Sequence, residues 1–183
     1  ALSRRVFLWV LALALAGCAA SPVLPVRPPV ADISQFAFVG RLAVRQGETR
    51  HHVNVDWRHT AVDDAILLTT PLGQGVAEIV RDAAGARLTL ADRRSYAADD
   101  WSALTRQVFG FALPLQASAR WLLGDVAATE GWRVTVVERE SAAADALPTT
   151  LALERDDIHV PLKRDEWIEG RWPTGAAPGR RRP

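Results

Sequence analysis

From Phe36 to Ala91 apolar side chains recur at every second residue in short runs, and no helical period separates the runs. In FAFVGRLAV, Phe36, Phe38, Leu42 and Val44 fall on one face; in HHVNVDW, Val53, Val55 and Trp57 alternate with His52, Asn54 and Asp56. A period of two places alternate side chains on opposite faces of a pleated strand, so each run predicts a strand buried on one side. Ile66–Thr69, Val76–Arg81 and Arg87–Ala91 continue the pattern. Parallel pairing needs long crossovers, which these short links do not provide, so the runs predict an antiparallel meander.

The period then changes. Between residues 97 and 124, Trp101, Leu104 and Val108 recur at helical spacing, with Asp99 or Asp100 available as a cap and Gly110 as a stop. Pro114 suits a second helix start, followed by Leu115, Ala119 and Leu122 and ended by Gly124. Alternation resumes at Trp132–Arg139, Thr150–Arg155 and Ile158–Trp167, with Asp156-Asp157 as a tight turn. The expected class is α+β, a large curved antiparallel sheet with a helical insertion. Only one cysteine is present, so no internal disulfide supports it. The stability must come from an apolar core, and 49% hydrophobic residues with seven tryptophans suffice for one.

The amino end reads as an export signal. Arg4 and Arg5 precede an apolar run, Val6–Ala16, that is shorter than the roughly 20 residues of a membrane-spanning helix. It ends in Leu15-Ala16-Gly17-Cys18, which is similar to the lipobox of bacterial lipoproteins. Residues 1–17 are therefore expected to be a cleaved signal peptide, with Cys18 as the lipidated new amino terminus. The chain begins at Ala1 and holds no methionine, so an initiator is expected ahead of it. Residues 18–32 are proline-rich and predict a semi-rigid tether that holds the body off the membrane. Residues 33–169 form the expected domain. Residues 170–183, with Arg171, Arg180, Arg181 and Arg182 and no acid, predict a disordered basic tail. With signal and tail set aside the body is acidic, which argues against nucleic-acid binding.

The residues suggest no catalytic, cofactor or metal site. His51 and His52 are adjacent in a strand and point to opposite faces, so they do not converge on an ion. Ser95 and Ser102 lack a nucleophile-elbow turn. Asp63-Asp64, Asp99-Asp100 and Asp156-Asp157 stand where turns and caps favour aspartate, and TTPLGQGV lacks the lysine of a phosphate loop. Two other features stand out. Pro71 and Gly73 turn the chain and leave Leu72 at a loop tip, where a leucine on a membrane-tethered protein can dip into acyl chains. Trp57, Trp101, Trp121, Trp132 and Trp167 are spread over strands and helices, and pattern alone leaves open whether they pack a solid core or line a cavity.

Several stretches together resemble the outer-membrane lipoprotein receptor family LolB: FVGRLAV, Trp57, TTPLGQGVAEI, YAADDWSALTRQVFGFALPLQASARWLLG, Gly131-Trp132-Arg133-Val134 and LPTTLALERDDIHVPLKRDEWI. The pairing of the Pro-Leu-Gly loop with LPL…WLLG is the specific part, and the resemblance covers most of the body. The chain departs from the family between Gly124 and Trp132, where only DVAATEG stands in place of an often longer segment with an added strand. The resemblance implies a half-open antiparallel β-barrel with the helical insertion as lid over an apolar cavity. It implies a monomer that takes triacylated lipoprotein cargo from a LolA-like periplasmic carrier into the inner leaflet of the outer membrane. Phe38, Leu42, Trp57, Trp101, Leu104, Trp121, Leu122, Trp132 and Trp167 would line the cavity, and Leu72, Pro71 and Gly73 would form the membrane-insertion loop. Ala19 is not the aspartate associated with inner-membrane retention. The alternative is a structural envelope lipoprotein with a solid core and no cargo.

Overall fold

A computed structural model describes residues 27–127 and 131–169. The expected signal peptide, Cys18, most of the tether, the basic tail and part of the shortened segment before Trp132 lie outside the described residues.

Nine strands form one antiparallel sheet: β1 (Phe36–Gln46), β2 (Thr49–His59), β3 (Asp64–Thr69), β4 (Gly75–Asp82), β5 (Gly85–Leu90), β6 (Ser95–Ala98), β7 (Arg133–Arg139), β8 (Pro148–Arg155) and β9 (Ile158–Glu169). Their order in space is β6-β5-β4-β3-β2-β1-β9-β8-β7. Two meanders are thus joined where β9 pairs with β1, and the sheet remains open, with β6 and β7 at its two edges. The chain between those edges supplies the helices α1 (Trp101–Phe109) and α2 (Leu115–Leu122). The insertion therefore links one rim of the curved sheet to the other, which is the geometry of a half-open barrel with a helical lid.

Alternation builds the inner face. The register sets Trp167, Phe38, Trp57, Ile66, Ile79, Leu88 and Tyr96 side by side across seven strands. Such cross-strand neighbours are the unit of sheet stabilisation. Where β1 meets β9 the register shifts between Val39 and Gly40. A Cβ on Gly40 would stand 2.5 Å from the Lys163 carbonyl oxygen and 2.6 Å from Phe38 Cζ, so the glycine in FVGRL is required by close approach.

The helices end where the sequence predicts. Asp100 caps α1 by accepting from the Ala103 N–H at 2.7 Å, and Gly110, at φ 81°, closes it in the left-handed conformation. The buried Thr105 hydroxyl accepts the Leu113 N–H at 3.0 Å and fixes the link between helices. Arg155 donates to the Ala112 carbonyl at 3.3 Å and ties that link to the sheet.

The end of the tether is folded onto the body. Val30–Asp32 form a single 3-10 turn, Ile33 is buried, and Arg27 is ion-paired with Glu140 and Glu169. Among the described residues no helix is long and apolar enough to cross a membrane.

Candidate functional site

The turn between β3 and β4 is held by its own backbone. The Gly73 N–H donates to the Thr70 carbonyl and the Thr70 N–H to the Gln74 carbonyl, both at 2.8 Å, while Asn54 on the neighbouring strand donates to the Thr70 carbonyl at 3.0 Å. Gly73 adopts φ 83°, a conformation that an L side chain would strain. Leu72 is left at the tip, 90% exposed. An ordered turn thus presents one large apolar side chain to solvent.

Between sheet and helices the expected lining residues come together. Phe38, Trp57, Trp101, Leu104, Trp121, Leu122 and Trp132 are buried, and Leu42 and Trp167 pack against them partly buried. Two aromatic groups stand out. On the sheet Phe36 stacks on Trp167 at 4.5 Å and meets Trp57 edge-on at 5.5 Å. Under the helices Trp132 meets Phe111 at 5.8 Å and Trp121 at 6.3 Å. Together these side chains form one buried apolar cluster between helices and sheet, and α1 is the helix that packs closely on the sheet, against β5 and β6.

Two clefts open beside the sheet and the helices. A cleft of about 400 Å³ lies where the end of β4 and the start of β5 meet the starts of both helices, bordered by Arg81, Asp82, Gly85, Asp99, Asp100, Trp101, Ser102, Pro114, Leu115 and Gln116. A second, of about 270 Å³, lies along β4, β5 and β6 beside Glu78, Val80, Arg87 and Thr89. Of the nine expected lining residues, Trp101 alone borders either cleft.

Asp64 corrects the expectation that the aspartate pairs all serve turns and caps. Asp63 does sit in the β2–β3 turn, where its carbonyl accepts from Thr60. Asp64 instead opens β3 on the inner face and is 1% exposed. One carboxylate oxygen accepts from Trp57 Nε1 at 2.8 Å and meets His59 Nδ1 at 2.6 Å. The other accepts from Arg81 Nε at 2.6 Å. His59, Asp64 and Arg81 are register neighbours on successive strands, a relation that sequence reasoning missed because it exists only once the pairing is known. A second missed group joins Arg27, Glu140 and Arg164. Glu140 accepts from Arg27 Nη1 at 2.6 Å and Arg164 Nη2 at 2.5 Å, and these cations hold its carboxyl down at about 2. Other sequence expectations meet plain structure: His51 and His52 are exposed on β2, and Asp156 turns the chain between β8 and β9 at φ 52°.

Residues 34–167 match the model of the family described as outer membrane lipoprotein LolB. The chain belongs to the LolB family. It is 32% identical to the outer-membrane lipoprotein LolB of Chromobacterium violaceum, across 90% of this chain and 98% of that protein. It is 36% identical to its namesake from Nitrosomonas europaea, across 96% of this chain and 98% of that protein. A solved LolA superfamily protein from Nitrosomonas europaea aligns with a TM-score of 0.45 and 9% identity, covering 78% of this chain and 89% of that one. The LolB match takes in the Leu72 turn, both helices and the whole inner face, and it stops short of Cys18 and the basic tail.

Proposed function

We propose that this LolB-family chain is a monomeric lipoprotein, anchored through Cys18 to the outer membrane and facing the periplasm. It receives triacylated lipoproteins from a LolA-like carrier and releases them into the inner leaflet. Leu72, held at the tip of an ordered turn with nothing covering it, is the observation that carries this reading. The compartment for the acyl chains is the aromatic space between helices and sheet, opened when the helices lift from the inner face. Each buried CH₂ is worth about 0.8 kcal/mol, so an acyl chain released into water would face on the order of ten kcal/mol. Direct passage between apolar compartments avoids that barrier, and the bilayer is the final sink. The transfer needs no nucleotide, metal or catalytic group.

The alternative, a scaffold with a solid core, would take no cargo. The two readings part on Leu72→Glu. A charge at the tip is costly in hydrocarbon, whereas the exposed site makes the substitution harmless to folding. The variant should melt like the unsubstituted chain and still co-purify with cargo after mixing with loaded carrier, yet deliver little of it to floated liposomes. Normal delivery would show that the tip has no part in insertion. Loss of folding would show that the leucine is core.

A further inference from the structure

Two buried indole N–H groups, those of Trp101 and Trp132, have no hydrogen-bond acceptor among the described residues. Trp132 is enclosed by the Phe111 and Trp121 rings. Trp101 is different: it is 5% exposed, its indole nitrogen is buried, and the residue borders the 400 Å³ cleft. A buried donor left unmet costs about 1–3 kcal/mol, so a native chain that keeps one invites the question of what completes it.

The cleft has two kinds of wall. Arg81, Asp82, Asp99, Asp100, Ser102 and Gln116 give polar groups, while Trp101, Leu115 and Pro114 give apolar surface where the helices meet the inner face. A molecule suited to both has a polar end that stays in water, hydrocarbon that goes inward, and hydrogen-bond acceptors at the junction. The lipid-modified end of an acylated protein fits that description. Its peptide is polar, its chains are apolar, and the carbonyl oxygens of its glyceride esters lie between them. Plain hydrocarbon has no group for Trp101, and a free fatty acid would bring a full negative charge to a wall that carries Asp82, Asp99 and Asp100 and whose one cation, Arg81, is already paired with Asp64.

Position supports the same occupant. The cleft lies at the end of the sheet where β4 finishes and β5 begins, whereas Leu72 lies at the opposite end, where β3 finishes and β4 begins. With Leu72 at the bilayer the cleft faces away from it, toward the side from which a soluble carrier arrives.

Resting on the function proposed above, we infer that this cleft is the intake mouth for the cargo's lipid and that Trp101 Nε1–H donates to a glyceride ester carbonyl there. As the acyl chains part the start of α1 from the end of β4 and the start of β5, the indole N–H exchanges an unmet state for a neutral hydrogen bond. Trp101 is then a specificity residue that separates acyl esters from other long-chain lipids.

The test compares an S-(dipalmitoyl-glyceryl)cysteinyl peptide with its dihexadecyl ether analogue, which has the same chains and no ester carbonyls. Both are titrated against the full chain and against Trp101→Phe. One neutral hydrogen bond is worth about 0.5–1.5 kcal/mol net, or roughly two- to tenfold in affinity. The unsubstituted chain should prefer the ester by that factor, and Trp101→Phe should bind both peptides alike while melting no lower than a small packing change requires. Equal binding of ester and ether by the unsubstituted chain overturns the inference alone, as does an ester preference that survives in Trp101→Phe. Failure of both peptides to bind the unsubstituted chain overturns the transport reading with it. Should Trp101→Phe not fold, a photoreactive benzoylphenylalanine in place of Gln116 decides the location. Crosslinking to the ester peptide supports the mouth, and binding without crosslinking overturns it.

Discussion

Asp64 is the residue whose place in the fold differs most from its look in the sequence. Its carboxylate is enclosed by Trp57, His59 and Arg81, and taking such charges from water is repaid only when every partner is present. Asp64→Asn keeps the volume but leaves the Arg81 guanidinium without its anion. It should lower stability by about 3 kcal/mol or more in urea unfolding, and a loss under about 1 kcal/mol would show that the pair is solvated. An aspartate beside another aspartate reads as a turn residue because turns favour the side chain locally. Nothing in the residues around it tells that the next strand will bring an arginine to the same rung. Leu72 was legible for the opposite reason, since Pro71, Leu72 and Gly73 decide the tip among themselves with no help from distant chain.

Among the elements, strands and helices were legible wherever a period or a cap is written in consecutive residues. Asp100, Gly110 and Gly124 mark helix ends by local backbone chemistry, and the structure keeps all three. The four-residue β6 was not distinguished from the approach to α1, because so short a strand cannot display a period. Its pairing with β5 depends on register. The state of the compartment was not legible either. Tryptophans at inner positions serve a filled core and a lined cavity equally well, and helix–sheet separation is set by packing over the whole face. The lid's first turn rests on its cap. Asp100→Ala removes the acceptor for the Ala103 N–H and should cost about 0.5–2 kcal/mol. Thermal melting and the amide exchange of residues 101–104 should both register the loss, and unchanged exchange there would mean that the cap contributes nothing.

For the molecule as a whole, the insertion turn and the point where the tether joins the body lie at opposite ends of the sheet, because β1 and β3 run in the same direction. The joint at the start of the body is the Arg27–Glu140–Arg164 group, and that joint has a pH signature. The Glu140 carboxyl is depressed from 4.5 to about 2, chiefly by the Arg27 hydrogen bond; burial opposes this, and the Arg164 hydrogen bond and the charges of both guanidinium groups add to the lowering. A depressed carboxylate contributes stability that is present above its ordinary value and is lost as pH falls from there through the folded value. Melting temperatures should therefore decline between pH 4.5 and 2, and Glu140→Gln should flatten that decline; an equally steep decline in the variant would place the acid sensitivity elsewhere. The central claim, that acyl chains occupy the space between helices and sheet, is tested most directly with the protein's own tryptophans. A triacylated lipopeptide with brominated acyl chains quenches only indoles that the chains touch. On this account binding should quench most of the emission of Trp57, Trp101, Trp121, Trp132 and Trp167, and an unbrominated lipopeptide should restore it by competition. Binding of the brominated lipopeptide with the emission left intact would contradict the account, and so would the absence of any binding.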